Sequence, residues 1–113
     1  MKSIFSLIFV FSLSMTFAQS NSVLFAQCYF DIPNNVSMLE IEADLKLHPN
    51  INVVRLDFDS QRAFILTQGI ESLTEEEFKA WFEIFSSTVS CIQIGVYGID
   101  KIEPYPFMNC KDD

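Results

Sequence analysis

Apolar residues between Val23 and Ile99 follow two different periods, and each switch between them marks a predicted boundary. Over Val23–Ile32 (VLFAQCYFDI) the period is two. Leu24, Ala26, Cys28, Phe30 and Ile32 form one wholly apolar face, with Val23, Phe25, Gln27, Tyr29 and Asp31 on the other. Pro33-Asn34-Asn35 ends this strand, because proline offers no ladder donor and asparagine tolerates turn geometry. Ser37–His48 then takes helical spacing, with Met38, Ile41, Leu45 and His48 along one stripe and Ala43 and Leu39 nearby. Ser37 and Glu40 have the spacing of a capping box. Pro49 biases His48 away from helical geometry and closes the element.

Ile51–Thr67 reads as a hairpin. Its first arm, Ile51–Phe58, places Val54, Leu56 and Phe58 on one face and Arg55 and Asp57 on the other. Asp59-Ser60-Gln61 supplies turn chemistry. The second arm, Arg62–Gln68, is apolar on both faces, Ala63 and Ile65 against Phe64 and Leu66, which predicts an interior strand. Thr74–Phe85 is predicted as one continuous helix. Thr74 and Glu77 form its capping box, Glu75-Glu76-Glu77 suits the positive end of its dipole, and Phe78, Trp81, Phe82 and Phe85 form an aromatic stripe. The last strand, Cys91–Ile99, sets Ile92, Ile94 and Val96 on one face and Cys91, Gln93 and Tyr97 on the other.

Two β-α-β halves joined by a hairpin predict an α+β fold, the ferredoxin-like βαββαβ sandwich. Its four-stranded sheet is antiparallel and carries two helices on one face. The expected domain core is about 23–99, followed by a tail, 100–113, that folds back on it. Between about Leu39 and Val96 the chain resembles the heavy-metal-associated domain family. Pro49–Asp57 is similar to that family's turn into its second strand, Arg62–Ile65 to its third strand, and Leu73–Trp81 to its second helix. The resemblance implies the ferredoxin-like fold. The family's metal chemistry lies in a Cys-x-x-Cys pair between the first strand and first helix, where two thiolates hold a soft monovalent ion. The corresponding loop here, Asp31–Ser37, has no cysteine, so no metal ligand carries over.

Ahead of the first strand the chain has the form of a signal peptide. Lys2 precedes an apolar run, Ile4–Ala18, and Thr16-Phe17-Ala18 sets small residues at the −3 and −1 positions of cleavage after Ala18. Residues 1–18 are therefore expected to be a leader and 19–113 a single mature domain, with no stable membrane anchor after cleavage. The expected location is periplasmic or extracellular. The formal net charge of the 113-residue chain is −8, and loss of Lys2 makes it more negative. Such acidity excludes a basic footprint for nucleic acid and disfavours an anionic membrane surface.

Export permits disulfides, and of the three cysteines Cys91 and Cys110 are the favoured pair if the tail doubles back along the last strand. Cys28–Cys91 is the other pairing weighed, but strand parity places those two on opposite faces, and a bridge needs converging Cβ atoms. Cys28 is a weak metal candidate, since its face is apolar and no neighbouring positive group lowers its pKa. His48 is the sole histidine, Asn35-Val36-Ser37 has the form of a glycosylation sequon within the helix start, and Glu75–Glu77 lacks a calcium-loop pattern. No base, nucleophile and oxyanion donor can be named together, so neither catalytic residues nor a cofactor are expected. The sheet face away from the helices would carry Phe25, Tyr29, Val53, Phe64, Leu66 and Tyr97. A patch of that size marks an interaction surface for a partner protein or a homodimer, unless the Tyr105-Pro106-Phe107 tail packs over it. The expected role is a small exported non-catalytic interaction or accessory module, with a divergent soft-metal carrier as the alternative.

Overall fold

The computed structural model describes residues 22–107 and Cys110. The expected leader, 1–18, lies outside the described residues. Strand β1 (Leu24–Tyr29) is followed by helix α1 (Asn35–Lys46), strands β2 (Ile51–Asp57) and β3 (Arg62–Thr67), helix α2 (Glu75–Ala80), a 3-10 helix (Glu83–Thr88) and strand β4 (Ser90–Val96). The sheet order is β2-β3-β1-β4, with all three neighbouring pairs antiparallel, as in a ferredoxin-like sandwich. β3 is interior, as its two apolar faces predict.

The core lies between one sheet face and the helices. Ala26, Cys28, Ala63 and Ile65 point from the sheet into a cluster with Met38, Ile41 and Leu45 of α1 and Phe78 of α2. Phe82, just beyond α2, joins the same cluster and is fully buried, as is Phe78. Burying such large aromatic side chains gives a short chain much of its apolar gain on folding. Two bulges correct the strict alternation. Between Ile51 and Val53 the register of β2 against β3 shifts by one residue, and Ile51 is thereby buried in the core. Between β1 and β4, Gln27 pairs with Gln93 but Tyr29 with Ser90, so β4 carries an extra residue. Cys91, in this stretch, has the left-handed φ of 56°.

Both helices differ from their sequence prediction. The N-cap of α1 is Asn34, whose side chain accepts from the Ser37 backbone N–H at 2.8 Å, so the helix starts ahead of the predicted Ser37–Glu40 box. An asparagine carbonyl satisfies a first-turn donor as well as a serine hydroxyl does, so Asn34 takes the cap position. The Thr74–Glu77 box of α2 is present, with both of its reciprocal bonds. The predicted single helix to Phe85 is not continuous. Trp81 and Phe82 donate to Phe78 and Lys79, three residues back, and Glu83 follows at φ 55°. The tightened turn and left-handed residue stop α2, and a 3-10 turn carries the chain on.

The hairpin is anchored as well as paired. Asp57 accepts from the Ser60 backbone N–H at 2.9 Å and from the Ser60 hydroxyl. Gln61, at φ 54°, donates through Nε2 to the Phe58 carbonyl and accepts from the Ile32 backbone N–H at 2.7 Å. Its own carbonyl accepts from Phe30. One residue thus closes the β2–β3 turn and ties it to the exit of β1.

Candidate functional site

The sheet face turned away from the helices is divided in two by the tail. Past β4, Gly98 takes a φ of 88° and the Asp100 side chain accepts from the Val96 backbone N–H at 2.7 Å, turning the chain back. The tail then crosses the outer face on side-chain amides. Gln93 donates to the Lys101 carbonyl at 2.8 Å and accepts from the Glu103 backbone N–H at 2.9 Å. Gln27, itself buried, donates both to Gln93 and to the Glu103 carbonyl. Further along, Phe107 packs on Tyr29 with ring centroids 4.6 Å apart, and its backbone N–H donates to the Tyr29 hydroxyl oxygen. Tyr105 meets Tyr29 edge-on, and the Arg62 guanidinium lies 4.4 Å from the Tyr105 ring centre. Cys110 is disulfide-bonded to Cys91, the favoured pairing, with a Cα–Cα distance of 4.9 Å.

The six residues proposed from sequence for the interaction surface therefore fall into different environments. Phe25 is fully buried, stacked at 6.4 Å on Phe64 and pressed against Gly95. Tyr29 lies beneath the tail. Val53, Phe64 and Leu66 are half-buried on β2 and β3, and Tyr97 is exposed. Between these and the tail runs a cleft of about 880 Å³, lined by Val53, Arg55, Phe64, Leu66, Tyr97 and Tyr105 among others. Arg55 and Arg62, the chain's two arginines, stand on this face at diagonal positions, since Arg55 pairs with Phe64 and Asp57 with Arg62. Apolar and charged side chains thus share the lining of this cleft.

Gln27 and Gln93 were not singled out by sequence reasoning, yet they fasten the tail. Their signal was available, for each is a polar residue on the outer face of an apolar strand, and the register sets one opposite the other. Tyr105 and Phe107 are legible as aromatics in a Pro-rich tail, but their seats on Arg62 and Tyr29 depend on the return path of the chain.

Cys28 is fully buried in the helix-side core, and desolvation pushes its thiol well above the ordinary range. The other two cysteines are bonded to each other, which leaves Cys28 without a second thiol to share a soft ion. His48 Nδ1 accepts from the Asn50 backbone N–H, and its ring lies 5.3 Å from that of Trp81, so it serves the α1–β2 turn. Among the described residues no His, Cys, Asp and Glu group has metal-binding geometry. No helix among them is long and apolar enough to cross a membrane. Comparisons with family profiles, with curated proteins and with solved structures find no match to this chain.

Proposed function

We propose that this protein is an exported, non-catalytic interaction module that engages a protein partner through the uncovered half of its outer sheet face. The observation that carries this reading is the divided face. The tail shields Tyr29, while among the described residues no secondary-structure element covers Val53, Phe64 and Leu66. Apolar side chains grouped in this way lose free energy when a partner removes them from water. The leader pattern at residues 1–18 and the Cys91–Cys110 bridge support export, since disulfides persist in oxidising compartments.

The test compares the oxidised wild type with Phe64→Asp by sedimentation over a range of concentrations and by binding of an apolar fluorescent dye. Either of two results supports the reading: self-association that the aspartate abolishes, or a monomer whose dye binding the aspartate abolishes. The first identifies the partner as a second copy; the second shows an exposed apolar face open to a different protein. A monomer that binds no dye, unchanged by the substitution, overturns it.

A further inference from the structure

The tail's two halves are attached in different ways. Asp100–Glu103 is held by the Asp100 turn and by Gln27 and Gln93, which bond to the carbonyls of Lys101 and Glu103 and to the Glu103 N–H. Among the described residues, Pro104–Phe107 has one hydrogen bond to the sheet, from Phe107 to the Tyr29 hydroxyl, together with ring contacts and the Arg62 contact. It is also tied covalently, through Cys110 to Cys91. Both of those cysteines are half-buried, within reach of a small thiol, whereas Cys28 is enclosed in the core and takes no part in exchange.

We infer that the Cys91–Cys110 disulfide is a redox clip that holds Pro104–Phe107 down as a strap, and that its reduction extends the interaction surface onto Tyr29. This rests on the outer face being the working surface. A dithiol reductant supplies the electrons. One of its thiolates attacks a cysteine sulfur and forms a mixed disulfide, releasing the other cysteine as a thiolate that takes up a proton. The second reductant thiol then displaces the first cysteine, leaving two cysteine thiols and a cyclic oxidised reductant. Freed of the clip, Pro104–Phe107 hinges away after Glu103, where the amide-held half ends. Tyr29 is uncovered, and Arg62 loses its stacking partner Tyr105. The uncovered patch then runs from β2 across β3 to β1.

Amide hydrogen exchange, resolved by residue in oxidised protein and in protein reduced with dithiothreitol, tests this without any partner. The Phe107 N–H should lose about a hundredfold of its protection on reduction, the size of effect that closing a short loop confers. Glu103, Ala26 and Ile65 should keep theirs. Cys110→Ser, which alters no residue of the core, should show the same pattern without reductant. Unchanged protection at Phe107 in both cases overturns the inference. So does loss of protection at Ala26 and Ile65, since the bridge would then be holding the whole domain. Exchange at Phe107 reports on the clip whether or not a partner binds, so failure of the Phe64→Asp test and failure of the clip give separate signals.

Discussion

Gly95 shows how closely the outer layer is packed at the level of single atoms. A Cβ added there would lie 2.8 Å from the Phe25 ring and 3.0 Å from the Asp100 side chain. Phe25 has nowhere to retreat, being fully buried against Phe64. Gly95→Ala is therefore expected to destabilise the fold by about 1–3 kcal/mol through overpacking, measured as a lower urea midpoint at an unchanged slope. Two exposed carboxyls make opposite contributions to pH dependence. Asp57 is held below its ordinary value of 3.8, chiefly by the Ser60 hydroxyl, then by the Ser60 backbone, with Arg62 adding its charge. A lowered folded-state pKa means stability that is complete above the ordinary value and lost as pH falls through the lowered one. Glu83 is raised from 4.5, first by its hydrogen bond to Asp44, then by partial desolvation and by the charges of Asp44 and Glu40. Its contribution is complete below 4.5 and lost as pH rises through the raised value. Asp57→Asn should thus unfold more readily than wild type near neutral pH, with the gap closing in acid. Glu83→Gln keeps a donor for Asp44 without the charge, so it should gain on wild type as pH rises. Urea unfolding at about pH 3 and about pH 7 checks both signs.

At the scale of elements, local signals were legible wherever the competing choices differed strongly in energy. The faces of β1 and β3 follow the period of two, because a one-residue slip would turn Cys28 and Ile65 out of the core. The Thr74 box formed where it was predicted. The start of α1 did not, since Asn34 and Ser37 both offer a capping oxygen and nothing in the local pattern ranks them. Asn34→Ala should cost about 1 kcal/mol, and Ser37→Ala much less, by thermal or urea unfolding. The end of α2 was not legible for a different reason. Apolar spacing at Phe78, Trp81, Phe82 and Phe85 reports which side chains face the core, and a tightened turn keeps them on that side as an α-helix would. The bulge near Cys91 likewise leaves the composition of β4 unaltered and is visible only in its pairing with β1.

At the scale of the whole molecule, the tail turns a symmetric-looking sheet into one with a covered and an uncovered half. Its path unites Gln27, Tyr29, Arg62, Gln93 and Cys91, residues drawn from three strands. The Phe64→Asp and reduction experiments address this level, because they ask which half of the face is exposed and what holds the other half shut.

By itself the amino-acid sequence determined the order of strands and helices, the interior place of β3, the helix-side core and the preference for Cys91–Cys110. These depend on periodicity and parity, which every short segment carries within itself. Tertiary structure alone decided how much of the outer face remains uncovered. Phe25, Tyr29 and Phe64 were all assigned to that face from the alternation of their strands. Phe64 and Gly95 close over the first, Phe107 covers the second, and the third keeps a cleft beside it. The physical reason is that burial on that face depends on where a distant, irregular tail returns, and its course is set by amide pairs and a disulfide that join residues far apart in the chain.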